Sequence, residues 1–280
     1  MFKLKSLLSL FILTIAFNGQ ATLITVASDN ADNYGNNWQG NGGFGFEQWN
    51  FINDAAGGSA GNFLADKTSN PDLNNAASSP NNKAWGSFAN GNGFNQFEAY
   101  RDFGSNSLNQ VGDSFNISLE HGGITNGGAV GFVLRNQNIH NNIGDYNQLS
   151  RFEFGFIGGG QHYSIFDGQG VIDTGINFTD AGLNLTFSLL TANLYQLDIF
   201  NANGNVLLQS RNGSLSGSGS INSVSLYNRD AEIANAYFNN LSISKQVNTP
   251  VPEPSTQILI FTAIAFMLLK RKYYTQIKLI

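Results

Sequence analysis

The chain has no cysteine among its 280 residues, only three histidines, and charged residues make up just 12% of it. In an exported protein, the lack of cysteine removes disulfides, thiol catalysis and thiolate metal sites together. It also rules out a small disulfide scaffold; a chain of this size can be stable on its core alone. His121, His140 and His162 lie far apart and match no metal-ligand spacing. Helical periodicity is missing too, for no stretch sustains apolar residues at intervals of three and four.

What is present is apolar and aromatic. Hydrophobic residues make up 41% of the chain, including 23 Phe, beside 32 Gly. That supply can build a large core, and low charge with many aromatics argues against a disordered polymer.

Both ends read as targeting segments. Met1-Phe2-Lys3-Leu4-Lys5 is a basic start, Leu7 to Phe17 is an apolar run, and Gly19-Gln20-Ala21 places small residues where signal peptidase requires them. The run is short for a span and polar sequence follows it, which predicts a cleaved signal peptide over 1–21, cut after Ala21. The expected partners of that step are the Sec export machinery and signal peptidase.

At the other end, Val251-Pro252-Glu253-Pro254-Ser255 is stiffened by prolines, which fix their own φ and push their predecessors out of helix. An apolar run, Ile258 to Leu269, follows and is broken only by Thr262; Lys270-Arg271-Lys272 then stops it. A basic cluster after an apolar run holds that end on the cytoplasmic side. This order resembles the PEP-CTERM sorting signal of Gram-negative bacteria that make extracellular polysaccharide. The family pattern is a Val-Pro-Glu-Pro-Ser motif, a hydrophobic helix and a short basic cluster. The resemblance implies an exosortase as partner, with processing near Pro252, Glu253, Pro254 and Ser255 and with Lys270, Arg271 and Lys272 as the membrane stop. It implies a single transmembrane helix before processing, then residence at the cell surface, outer membrane or extracellular matrix. The chain departs from the pattern in a short apolar run and in the extension Tyr273 to Ile280.

Between the two tails, residues 22–247 carry eight bases against eighteen acids, a balance of −10. An acidic surface without basic clusters repels phosphate backbones and argues against nucleic-acid binding. Alternation of apolar and polar residues over Phe115–Glu120, Val130–Arg135, Phe152–Phe156, Leu183–Leu189 and Tyr195–Ile199 predicts strands with one buried face. Gly158-Gly159-Gly160, Asp167-Gly168, Asn203-Gly204 and Asn212-Gly213 read as turns, and Tyr195–Ile199 with Val206–Gln209 as a hairpin. Phe44–Phe51 and Ala84–Phe88 are strand-like islands among Asn/Gly-rich loops such as Thr68–Lys83. Many short strands with regular turns predict one all-β, antiparallel β-sandwich over 22–247, followed by the sorting signal over 248–280.

The closing run Ala236-Tyr237-Phe238-Asn239-Asn240-Leu241-Ser242-Ile243 is similar to the last strand of concanavalin-A-like jelly rolls, as is the hairpin at Leu194–Gln209. That resemblance implies a jelly-roll-like sandwich and carbohydrate binding on its concave sheet, although such folds host many functions.

Candidate chemistry is sparse. Trp38, Trp49 and Trp85, with Phe44, Phe46 and Tyr100, suit either an aromatic platform for sugar rings, with Trp49 and Trp85 at its centre, or a sandwich core. Asp29-Asn30-Ala31-Asp32-Asn33 offers oxygen donors for Ca²⁺ but lacks the usual loop pattern, and as a solvated loop it needs no ion. Glu98, Glu120 and Glu153 sit on strand-like segments, but the closely spaced acidic strand motif E-x-D-x-x-E of glycanases is absent. No catalytic residue is assigned. The sequence therefore points to a non-enzymatic surface or biofilm-matrix protein that binds exopolysaccharide. The alternatives are a structural adhesin without a sugar site and a polysaccharide-active hydrolase or lyase.

Overall fold

The computed structural model describes residues 21–248, apart from 74, 138–146, 148 and 233, together with 263, 264 and 266–268. The signal segment before Ala21, Pro252–Ser255 and Lys270–Lys272 lie outside the described residues. Among those described, no helix is long and apolar enough to cross a membrane. The chain divides into a compact unit, Leu23–Gln246, and a second made of Met1–Thr22 and Val247–Ile280.

Among the described residues, fifteen strands follow in order: β1 (Ala21–Asp29), β2 (Asn50–Ala55), β3 (Gly58–Asp66), β4 (Lys83–Gly91), β5 (Asn95–Asp102), β6 (Ser114–His121), β7 (Ala129–Arg135), β8 (Ser150–Ile157), β9 (His162–Asp167), β10 (Gly170–Asn177), β11 (Leu183–Leu189), β12 (Leu194–Phe200), β13 (Leu207–Ser214), β14 (Ser223–Arg229) and β15 (Ala236–Asn248). One sheet runs β13-β12-β11-β6-β15-β4-β3, with β1 paired to β15; the other runs β10-β9-β8-β7-β14-β5-β2. The pairs within β2 to β15 are antiparallel. The all-β antiparallel sandwich expected from the alternation is the observed architecture, and Ala21 is the first residue of β1.

β11 shows the cause of the pattern most plainly. Leu183, Leu185, Phe187 and Leu189 are buried while Asn184, Thr186 and Ser188 between them are half-buried, as a period of two demands. The inward rows of the two sheets meet in one core, where Phe115 of β6 lies 6.0 Å from Phe132 of β7, and Phe152 of β8 lies 5.1 Å from Phe187 of β11. Burying each such side chain contributes about 1.5–3 kcal/mol.

One turn reading is corrected. Asn212-Gly213 lies inside β13, paired with Gln196 and Tyr195. Gly213 sits against the Tyr195 ring, where an added Cβ would fall 2.5 Å from ring atoms. Close packing, not a turn, calls for glycine there.

The platform reading of Trp49 and Trp85 is corrected as well. They are 4% and 0% exposed and meet Trp38 in one core cluster, with centroids 5.2 and 5.8 Å from it. Indole rings are large enough that the sandwich interior is where they remove most area from water. The Arg101 guanidinium lies 4.6 Å over the Trp49 ring and 2.5 Å from Asp29, a fully buried ion pair. Tyr34 and Asn33 donate to the same carboxylate at 2.6 and 3.0 Å, while Arg101 donates onward to Asn41 and the Glu47 carbonyl.

Candidate functional site

The sheets end side by side in two edge strands, β10 and β13, and each is irregular where a cleft opens. In β10, Asp173 pairs with Ser164 but Asn177 pairs with His162, so Thr174, Gly175 and Ile176 stand against Tyr163 alone. Gly175 takes the left-handed φ of 71° that this bulge needs. In β13, Ile199 pairs with Gln209 and Phe200 with Leu207, which leaves Leu208 as an extra residue. Bulges re-aim side chains, and here both Ile176 and Leu208 line the cleft. Gln209 Nε2 ties the strands together by donating to the Thr174 carbonyl at 2.9 Å.

The cleft has a volume of about 530 Å³, within the range of roughly 300–1,000 Å³ usual for small-ligand sites. Phe178 is 36% exposed and rests against His121 and Phe156, with centroids at 5.2 and 5.4 Å. The buried rings hold it from behind while part of its surface stays open. Asn75, Asn177 and Asn203 line the cleft and are exposed. Its opposite wall is pinned by Asn184, whose Nδ2 donates to the carbonyls of Asn201 and Ala202 at 3.1 and 2.7 Å. The Asn201 side chain accepts from the amides of Asn205 and Val206 at 3.2 Å each, which shapes the turn. Among the described residues, no Asp, Glu, Lys, Arg or His lines the cleft. His121 behind it is held down to about 4 by burial, which disfavours its charged form.

The three strand glutamates do not converge there. Glu120 is on the first sheet and accepts from the amides of Asn75 and Ala77 at 3.2 and 3.1 Å, holding the β3–β4 loop. Glu98 and Glu153 share the outward face of the second sheet, yet are only 0% and 5% exposed. Glu98 accepts from Ser225 at 2.6 Å and pairs with Arg135 at 3.5 Å. Glu153 accepts from the Tyr227 hydroxyl at 2.8 Å. Gly131 and Gly155 make room for that phenol, since a Cβ on either would fall 2.7 or 2.4 Å from its oxygen. Burial pushes Glu153 up to about 7, against the opposing pull of the Tyr227 bond and of Arg229.

In the segment 29–33 considered for Ca²⁺, both carboxylates and the Asn30 side-chain oxygen are engaged by protein donors. Asp29 faces Arg101, Tyr34 and Asn33, and Asp32 accepts from Ser79 at 2.5 Å and from the Asn81 amide at 3.3 Å. Asn30 caps the Asp32 amide at 2.9 Å. A cation would have to displace these bonds, so the residues do not fit one. Among the described residues, no three His, Asp or Glu side chains gather to hold a metal.

The sequence carries no signal for Phe178: Ile176-Asn177-Phe178-Thr179 alternates apolar and polar as a half-buried strand does, and nothing in that pattern marks the ring as partly open.

No family model matches the chain, and no curated protein matches it. Among solved structures, the chain is similar to the exoplasmic/lumenal domain of VIP36 in its Ca²⁺/Man3GlcNAc-bound form, at 6% identity over 74% of this chain and 87% of that one, with a TM-score of 0.44. It is similar to a legume lectin-like domain from Entamoeba histolytica at 9% identity, covering 59% and 84%, with a TM-score of 0.41. The binding domain of botulinum neurotoxin serotype D/C matches at 10% identity, covering 85% and 52%, with a TM-score of 0.42.

Proposed function

We propose that this is an exported bacterial surface or matrix protein whose sandwich holds a neutral exopolysaccharide in the β10–β13 cleft without cutting it. The observation that carries the reading is the cleft's chemistry. Part of an aromatic ring is open to solvent, three exposed amides line the same cleft, and among the described residues no charged side chain lines it. Aromatic rings stack on the C–H faces of sugars, and amides both donate to and accept from hydroxyls, whereas a charged polymer would call for ion pairs.

The non-enzymatic reading is supported by the glutamates. General acid–base cleavage needs two carboxyl groups open to one groove, and Glu98 and Glu153 are buried in bonds of their own while Glu120 belongs to the other sheet. Export by signal peptidase and sorting by an exosortase rest on the order of sequence features at the two ends, from Ala21 to Lys270-Arg271-Lys272.

Retention of the full chain on immobilised exopolysaccharide tests the proposal, with Phe178→Ala as the variant. Losing the stacked ring should weaken retention by about 1–3 kcal/mol. Unchanged retention in the variant refutes the site, and new reducing ends released by the wild type refute the non-enzymatic reading.

A further inference from the structure

The cleft carries more apolar surface than bare sugar hydroxyls require. Leu208 is 48% exposed and Phe178 36%, and both face the cleft with Ile176. Two of these three reach it through bulges, on strands that belong to different sheets. A regular β13 would leave no extra residue at position 208, and a regular β10 would not set three residues against Tyr163. Bulges disrupt pairing and are kept where they direct a side chain. What this pair brings to the lining is one aliphatic side chain from each sheet, in the same cleft as the Phe178 ring.

An aliphatic wall beside amides complements a group that is itself half apolar and half polar. The methyl of an acetyl or acetamido substituent would lie against Leu208 and Ile176. Its carbonyl and N–H would then meet Asn177 or Asn203, which are exposed on the same lining. A carboxylated or sulfated sugar would find no cation there, and an unsubstituted hexose would leave the aliphatic wall in contact with hydroxyls. We infer that the ligand class is a neutral glycan bearing acetyl or acetamido groups; this rests on the glycan-binding reading above.

Calorimetric or saturation-transfer titration of the full chain with two trimers separates the two claims. One probe is the β-1,4 trimer of N-acetylglucosamine, the other the β-1,4 trimer of unsubstituted glucose. The expected result is binding of the acetamido trimer at least about tenfold tighter, the scale of one methyl group in an apolar pocket. Leu208→Ser should cut that preference to about threefold or less, by weakening the acetamido trimer relative to the glucose trimer. Because Leu208 is half exposed, the variant should keep its fold, and an unchanged melting temperature checks this. Equal affinity for the two trimers, both weakened by Phe178→Ala, overturns the acetyl inference and leaves the cleft as a glycan site. Absence of binding by either trimer and by the exopolysaccharide overturns both.

Discussion

Replacing Glu153 with Gln should change how stability depends on pH, and its interplay with His121 makes the outcome specific. Glu153 ordinarily titrates near 4.5 and is pushed up to about 7 by burial. Between those values the folded chain holds a proton that the unfolded chain releases, so stability falls as pH rises from about 4.5 to 7. His121 ordinarily titrates near 6.5 and is held down to about 4 by burial. Between those values the unfolded chain takes a proton that the folded chain refuses, so stability rises with pH from about 4 to 6.5. Each unit of displacement is worth about 1.4 kcal/mol, so each group carries on the order of 3 kcal/mol with opposite sign. Across the shared window, about pH 4.5–6.5, the two slopes cancel.

Glu153→Gln keeps an acceptor for the Tyr227 hydroxyl and removes only the falling slope. The stability difference between variant and wild type should therefore grow by roughly 3 kcal/mol in the variant's favour from pH 4.5 to 7.5. His121→Phe should do the reverse, its advantage over wild type shrinking as pH rises from 4 to 6.5. Urea midpoints at several pH values, read as differences from wild type, isolate each group from the other carboxylates. A pH-independent difference for Glu153→Gln refutes the burial argument.

Other outcomes follow from the packing. Asp29→Asn leaves the Arg101 charge buried without its counterion and should cost about 3–5 kcal/mol by chemical denaturation. Trp85→Ala should cost about 3–5 kcal/mol as a core cavity, measured by the same unfolding curves. Mass spectrometry of the cell-surface form should find an N-terminus at Thr22 and no Lys270-Arg271-Lys272; an intact basic tail refutes the sorting reading.

How far the sequence reaches depends on which face of a strand meets water. β11 and β12 are readable because their outward residues are polar and half-buried, and β6 because its outward Asn116, Ser118 and Glu120 are polar even though Ser118 and Glu120 are buried, so the period of two is visible. β7 is buried on both faces, so its strand was evident but the role of its outward face was not. The same double burial hides the fact that Glu98 and Glu153 share a face. β3 is built largely of small residues, and β10 is broken by its bulge, so neither shows a clean pattern. Trp49 and Trp85 suited either a core or a platform in sequence, because only their partners elsewhere in the chain decide burial. The cleft was out of reach for a related reason. Its parts come from separate segments, Asn75, Ile176–Leu183 and Asn201–Leu208, and two bulges bring them together.

Backbone amide shifts of the ¹⁵N-labelled full chain, titrated with fragments of the exopolysaccharide, test most directly whether this cleft is the glycan site. Saturable shifts at Asn177, Phe178, Asn203 and Leu208, with Ser225 and Tyr227 on the second sheet's outward face unmoved, are the predicted result. Saturable shifts centred on Ser225 and Tyr227, or none at Phe178, would contradict it.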